Sequence, residues 1–147
     1  MPETNSQLLE LSGTFSSLVK KMGHEWNRRM SDQYTMTQFR TLFILNARGP
    51  QKTADMAERL CVTSGAITGV ADKLISKQLI ERQRSEDDRR VVYLSITEQG
   101  KQVLAGMLEK QQETISLFFK VLPEDDVEHL RRIFKIMLGH MEQLEKE

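Results

Sequence analysis

Two short helical patterns separated by a break of about three residues occupy the middle of the chain, and they limit its possible folds more than any other feature. The first pattern covers residues 53–60, and Thr53 is placed to cap it. The second runs from residue 64 to about 77, with Thr63 or Ser64 as its cap. Two short helices joined by so short a turn cross steeply. The pattern therefore predicts a helix-turn-helix unit.

Apolar spacing gives the second of these helices an inner and an outer face. The inner face packs on the first helix, where Ala57 is the small residue that a close crossing needs. The predicted packing residues are Met56, Leu60, Val62, Ile67, Val70, Ala71 and Leu74. The outer face consists of Ser64, Gly65, Thr68, Gly69, Asp72 and Lys73. Such a small, polar face enters a DNA major groove without steric conflict. A plain exposed helix face is the alternative.

Two β-prone runs, residues 79–84 and 91–96, flank a charged tip without apolar residues at 85–90. This pattern predicts a hairpin. A hairpin directly after a helix-turn-helix forms a wing whose tip reaches a minor groove, where the negative potential attracts arginine. We expect Arg90 to read that groove and Asp88 to hold Arg90 or its backbone. An ordinary solvated turn is the alternative.

The two ends of the chain each show an apolar stripe at helical spacing. Residues 7–30 form one such helix, and a shorter apolar helix at 37–47 stops at Arg48-Gly49-Pro50. A long helix at 97–122 is broken by Pro123, and a last helix follows. The two stripes are Leu8, Leu11, Phe15, Leu18, Met22 and Trp26, and Val127, Leu130, Phe134, Met137, Met141 and Leu144. They exceed what one small lobe covers, which predicts a homodimer; a purely intramolecular core is the alternative.

Composition constrains the class of protein but not its partner. The 147 residues include 21 basic and 21 acidic side chains, so any DNA affinity must come from local placement of cations. A charged fraction of 29% suits a soluble globular chain. We expect no membrane segment, because no apolar run approaches the ~20 residues that a span needs. The polar N-terminus lacks a secretory pattern, and a lone cysteine forms no intrachain disulfide, which predicts a cytoplasmic protein.

Residues 53–97 resemble the MarR family of bacterial regulators. The matching segments are Asp55-Met56-Ala57-Glu58-Arg59-Leu60, Val62-Thr63-Ser64-Gly65-Ala66-Ile67-Thr68, Leu79-Ile80-Glu81-Arg82 and Asp88-Arg89-Arg90. After the wing, the start of the next long helix also matches, at Ile96-Thr97-Glu98-Gln99-Gly100. The resemblance extends to the flanking helices. It implies a dimer whose first and last helices form the interface, and winged lobes that bind palindromic operators. In many members of this family a small ligand or an oxidant weakens DNA binding, and the resemblance implies the same type of control.

The expected architecture is mainly α with a small β-hairpin, within one MarR-like domain at residues 1–147. A winged helix-turn-helix lobe occupies about 35–96, and dimerisation helices occupy about 1–34 and 97–147. The predicted DNA-binding residues are Thr63, Ser64, Gly65, Thr68, Gly69, Lys73, Asp88, Arg89 and Arg90. Candidates for a small-molecule effector pocket between the dimer helices and the lobe are His24, Trp26, Tyr34, Arg40 and Phe43. Core or interface packing is the alternative for this second set.

Cys61 lies at the turn position where glycine is common, and we expect a small, buried packing residue rather than a redox sensor. Its apolar neighbours, Leu60 and Val62, are expected to raise its pKa. The peroxide sensors of the family that this chain resembles have their reactive cysteine in the first helix. No cysteine occurs there in this sequence.

The sequence offers little support for catalysis, a metal or a cofactor. His129 and His140 are eleven residues apart, about 16 Å along a helix, and cannot bind one ion together. Zinc-like spacing and a phosphate-binding glycine loop are both missing from the sequence. We therefore predict a transcriptional regulator, specifically a repressor, rather than an enzyme. A winged-helix module that binds only proteins is the alternative, and steep salt dependence of DNA binding distinguishes the two.

Overall fold

The structure, a computed structural model, describes residues 2–30 and 33–147, with side chains from residue 5 onward. Met1, Ser31 and Asp32 belong to the segment predicted for dimerisation and lie outside the described residues. The elements found in the described part are α1 (Pro2–Arg29), α2 (Met36–Arg48), β1 (Gln51–Lys52), α3 (Thr53–Arg59), α4 (Ser64–Ser76), β2 (Ile80–Arg84), β3 (Val92–Ile96), α5 (Glu98–Phe119) and α6 (Glu124–Leu144). The chain forms two compact units, residues 1–111 and 112–147.

The helix-turn-helix consists of α3 and α4. Thr63 caps α4, because its side chain accepts a hydrogen bond from the Ala66 N–H at 3.1 Å. In the turn, the Val62 N–H donates to the Ala57 carbonyl at 3.0 Å, and Ala57 is buried at the crossing as expected. The predicted cap of α3 is wrong. Lys52 precedes that helix without a side-chain cap, and the Thr53 hydroxyl donates instead to the Val92 carbonyl at 3.2 Å.

The predicted hairpin is confirmed as β2 and β3, and the structure adds a strand to it. The sheet is antiparallel in the order β1-β3-β2. Leu94 lies in its centre, opposite both Gln51 and Arg82, and is fully buried. The two-residue β1 follows Gly49, whose φ of +79° favours glycine and turns the chain out of α2. The ψ of Gly49 is −165°, so the helix stops at this glycine, as predicted, but without a left-handed helical cap.

The base of the hairpin is fastened to α5. Thr97 donates its N–H to the Leu79 carbonyl at 3.0 Å, and its hydroxyl accepts from the Gly100 N–H at 3.0 Å. A Cβ at Gly100 would collide with the Leu79 carbonyl oxygen, so this close approach requires glycine. The start of α5 therefore fixes where the hairpin leaves the lobe.

The core of the first unit lies under the helix-turn-helix and the sheet. Its buried apolar residues are Trp26, Met30, Phe39, Leu42, Leu45, Met56, Ala57, Leu60, Ile67, Ala71, Leu74, Leu79, Ile80, Leu94, Leu104 and Met107. The contribution of α1 comes from its C-terminal end, while Leu8, Leu9, Leu11, Phe15, Leu18 and Val19 are exposed. Val70, expected to be buried, is only partly so. Cys61, also expected to be buried, is exposed.

The second unit contains the end of α5 and all of α6. Thr114 is buried there, and Val127 and Leu130 are half-buried. Further along α6 the apolar side chains of Ile133, Phe134, Ile136, Met137, Leu138, Met141 and Leu144 are exposed. This helix has no buried residue.

Candidate nucleic-acid interface

The outer face of α4 is as the sequence predicted. Ile67, Ala71 and Leu74 are buried, and the opposite side is open to solvent. The exposed residues there are Ser64, Gly65, Thr68, Gly69, Asp72 and Lys73, and the capping Thr63 is exposed beside them. A helix of 13 residues with such a face is long enough to lie in a major groove.

Thr68 presents a defined chemical surface. Its hydroxyl donates to the Ser64 carbonyl at 2.9 Å, so the hydroxyl proton is used within the helix. The oxygen lone pairs and the methyl group remain to interact outward. These groups match an amino group and a thymine methyl on base edges, respectively.

Gly65 and Gly69 leave the middle of this face without side chains. A Cβ built at Gly69 meets nothing within 4 Å, and at Gly65 the nearest atom is the Thr63 Oγ1 at 4.0 Å. Glycine inside a helix is less stable than alanine by about 0.5–1 kcal/mol. Packing within the protomer does not require either glycine, and the absence of side chains leaves room for close approach at this face.

The wing, defined as β2, β3 and the connecting residues 85–91, holds Arg90 in place. Asp88 Oδ1 accepts from the Arg90 backbone N–H at 3.0 Å and from Nε at 3.1 Å, while Oδ2 accepts from Nη2 at 3.1 Å. The predicted contact is thereby confirmed for both backbone and side chain. The Arg90 side chain is still 91% exposed. The hydrogen bonds from the Arg90 guanidinium, and to a smaller extent the one from the Arg90 backbone N–H, lower the pKa of Asp88 below its ordinary value of 3.8.

Two further arginines on the wing were missed from the sequence. Arg84 Nη1 donates to the Arg89 carbonyl at 3.0 Å, which joins the end of β2 to the tip. Arg82 Nη2 donates to Asp72 Oδ1 on α4 at 2.7 Å. Their spacing of two residues could have predicted that both lie on one face of the strand, because alternate residues of a strand share a face.

The candidate effector residues are not brought together as one site. Trp26 is buried in the core, with its ring centroid 5.7 Å from that of Phe39, as the packing alternative predicted. Phe43 lies 6.2 Å beyond Phe39 and is 47% exposed. His24 and Arg40 are exposed as well, and Tyr34 is half-buried under the Lys77 ammonium. The buried Trp26 Nε1 has no hydrogen-bond partner within the described residues.

The described residues also bear on metal binding and on membrane insertion. Within residues 2–30 and 33–147, no group of three or more His, Cys, Asp or Glu side chains is placed to hold a metal ion. Within the same residues, every helix is too short or too polar to cross a bilayer.

Residues 34–92 match the model of the MarR family. The chain is also similar to regulators of Bacillus subtilis. It is 32% identical over 120 residues to the helix-turn-helix transcriptional regulator YpoP, covering 82% of this chain and 83% of YpoP. It is 34% identical over 99 residues to the regulator MhqR, covering 67% and 68%. It is 28% identical over 128 residues to the repressor MdtR, covering 86% and 83%.

Solved structures share the fold. BldR, a transcriptional regulator of Sulfolobus solfataricus, matches with a TM-score of 0.79 at 28% identity over 91% of this chain and 96% of BldR. A variant of MarR from Escherichia coli complexed with operator DNA has a TM-score of 0.79 at 24% identity, covering 90% and 96%. BpsR of Bordetella bronchiseptica, whose DNA binding is regulated by 6-hydroxynicotinic acid, has a TM-score of 0.80 at 17% identity, covering 87% and 98%.

Proposed function

Because the chain belongs to the MarR family of DNA-binding transcriptional regulators, we propose that it is a cytoplasmic repressor that binds a pseudo-palindromic operator as a homodimer. The observation that carries the proposal is the pairing of two exposed surfaces, the small polar face of α4 and the wing tip with its held Arg90. The similarity to the repressor MdtR supports repression as the output.

In this proposal α4 lies in a major groove and reads base edges from its N-terminal half. Thr63, Ser64, Gly65 and Thr68 lie nearest the helix start, and Gly69 allows close approach. Lys73 is further along, exposed, and suited to a phosphate. With one α4 per protomer, the two half-sites are expected about 34–36 Å apart.

The wing reads the operator flanks. Arg90 extends into a minor groove, Asp88 sets its direction, and Arg89 adds a second exposed cation beside it. A narrow, A·T-rich groove attracts arginine most strongly, because its negative potential is enhanced. The chain has no net charge, so these local cations must supply the attraction to DNA.

The homodimer is supported by apolar surface that one protomer leaves open. Phe15 and Leu18 of α1 are 53% and 54% exposed, and Met137 and Met141 of α6 are 56% and 53% exposed. Extended apolar rows of this kind mark interaction surfaces in soluble proteins. A second copy of the chain presents the same rows, as a two-fold interface requires.

A competition binding experiment tests this proposed mode of operator recognition. A random duplex pool is selected on the wild type, and the selected operator is then varied in its half-sites and flanks. We expect Thr68→Ala to relax half-site preference at about 1–3 kcal/mol per lost contact. Lys73→Ala should weaken all sequences alike and lower the salt slope by about one. Arg90→Ala should lose the A·T preference at the flanks, and unchanged flank preference in that variant would refute the wing assignment.

The same assay separates DNA recognition from a protein-interaction role. A phosphate-contacting regulator loses affinity steeply as salt rises, because it releases counterions from the duplex. A module that binds only proteins selects no sequence from the pool, and its weak binding to duplex DNA does not depend on salt.

We further propose that an aromatic acid is the effector class, bound near Arg40 and Phe43. The support is an exposed arginine and an exposed aromatic ring three residues apart on α2, a spacing that places both on one face of the helix. The Phe43 ring also lies 6.2 Å from Phe39, which packs on Trp26. Trp26 is the sole tryptophan, so its fluorescence reports binding. With 6-hydroxynicotinic acid as the probe, we expect quenching and operator release, both weakened by Arg40→Ala but not by the control Arg48→Ala. Fluorescence and operator affinity unchanged at millimolar acid would contradict this proposal.

A further inference from the structure

We propose that Arg82 and Asp72 are positioning residues that fix the angle between the wing and α4, so that both elements enter their grooves as one unit. The inference rests on the proposed reading of operator flanks by Arg90. It concerns residues that do not themselves read DNA in that proposal.

The Asp72–Arg82 ion pair joins two separate elements. Arg82 Nη2 lies 2.7 Å from Asp72 Oδ1, and the partners belong to β2 and α4 respectively. The Glu25–Arg28 and Glu98–Lys101 pairs, by contrast, each lie within one helix at a spacing of three residues. A contact within one helix cannot set the orientation of two elements, whereas the Asp72–Arg82 contact can.

A second contact continues from Arg82 to the tip. Arg84 follows on the same face of β2, and its Nη1 donates to the Arg89 carbonyl at 3.0 Å. Arg89 precedes Arg90, which the Asp88 carboxylate holds through backbone and side chain. The wing is therefore held at two places by separate polar contacts, one from β2 to α4 and one from the end of β2 to the tip that carries Arg90.

The sign of the charge at residue 72 supports a positioning role. Asp72 lies on the outer face of α4 with its side chain 60% exposed, next to Lys73. A carboxylate on a DNA-facing surface repels phosphates and by itself weakens binding. Exposed ion pairs also add little to the free energy of folding. Orientation of the wing through Arg82 accounts for an acidic residue at this place.

Asp72→Asn distinguishes positioning from simple repulsion. If the carboxylate only repels DNA, the variant binds every duplex more tightly, and the proposal is overturned. If it positions the wing, the ratio of affinities for preferred over substituted flanks falls about threefold or more, while half-site preference is kept. Arg82→Gln should show the same loss. The charge-reversed double variant, Asp72→Arg with Arg82→Asp, should recover flank preference, which two independent losses would not.

The salt slope separates positioning from direct contact. A positioning Arg82 leaves the slope of Arg82→Gln at the wild-type value. If Arg82 instead binds phosphate, the slope falls by about one and Asp72→Asn does not reproduce the defect, which overturns the proposal.

Two controls keep the outcome specific. Arg28→Gln removes a guanidinium from another exposed ion pair and should leave flank preference unchanged, and thermal unfolding verifies that each variant is folded. Arg90→Ala tests the premise. If it loses flank preference while Asp72→Asn and Arg82→Gln keep theirs, the positioning role alone is refuted. If Arg90→Ala keeps flank preference, flank reading by the wing fails, and the positioning role fails with it.

Discussion

Cys61 shows how a single backbone angle decides which way a side chain faces. Its φ is +54°, in the left-handed region, and its N–H donates to the Glu58 carbonyl at 3.1 Å. Leu60 and Val62, on either side, take the inward positions. The side chain is therefore exposed, and the expectation that apolar neighbours would surround the thiol was wrong. The preference for glycine at this turn position agrees with the observed angle.

Substitution of Cys61 should change stability through the backbone. Cys61→Gly is expected to stabilise the fold by about 0.5–1 kcal/mol, because a non-glycine residue in the left-handed region is strained. Cys61→Val should destabilise it by about 1 kcal/mol, because β-branching increases that strain. Cys61→Ser should keep operator binding. Urea unfolding measures the first two effects, and a Val variant as stable as the Gly variant would contradict the argument.

Asp88 makes the hold on Arg90 independent of pH in the neutral range. The folded state lowers the pKa of this carboxyl below 3.8 through the Arg90 side chain and backbone, so the contact is present above that value and is lost only as pH falls through the lowered pKa. Flank preference should stay constant from about pH 8 to pH 5 at fixed ionic strength. Asp88→Asn should reduce it at every pH. A wild-type flank preference that already disappears by pH 5 would show that another group controls Arg90.

At the scale of elements, α4 combines low intrinsic stability with a surface suited to close approach. Gly69→Ala should stabilise the free protein by about 0.5–1 kcal/mol, since the added methyl meets nothing within 4 Å and alanine favours the helix. The same methyl should weaken operator binding, because it occupies the space next to the bases.

Gly106→Ala in α5 is the matched control, because its Cβ also has open space. It should give the same gain in thermal stability without a change in half-site preference. Equal operator affinity for Gly69→Ala and wild type, measured by titration, would mean that this face does not approach the bases closely.

Local patterns in the sequence predicted these elements because their causes lie within a few residues. The cap at Thr63, the crossing at Ala57 and the Asp88–Arg90 contact each involve partners at most five residues apart. Two of the features that were missed depend on partners far along the chain or on another element. Thr53 donates across 39 residues to β3, and Arg82 reaches α4. Strand β1 has two residues, too few to show a period, and exists because β3 pairs with it.

At the scale of the whole molecule, the first and last helices present apolar side chains that their own units leave uncovered. On α6 the row of Phe134, Met137, Met141 and Leu144 follows a spacing of three and four, which is typical of a helix–helix seam. In a single protomer Phe134 is 41% and Met137 is 56% exposed. A charge placed there is therefore solvated in the protomer and becomes unfavourable only when another surface covers it.

Phe134→Asp and Met137→Asp should dissociate the proposed homodimer while leaving each protomer folded. An uncompensated carboxylate buried at an interface destabilises it by about 3 kcal/mol, and a two-fold interface contains two such carboxylates, so the dimer Kd should rise by at least about 100-fold. Arg132→Asp, about 200° around the helix from Phe134, is the control and should keep the dimer. Sedimentation velocity at micromolar protein gives the mass, and circular dichroism verifies the helices. A wild type that sediments as a stable monomer would refute the homodimer, and the paired half-sites 34–36 Å apart would lose their explanation.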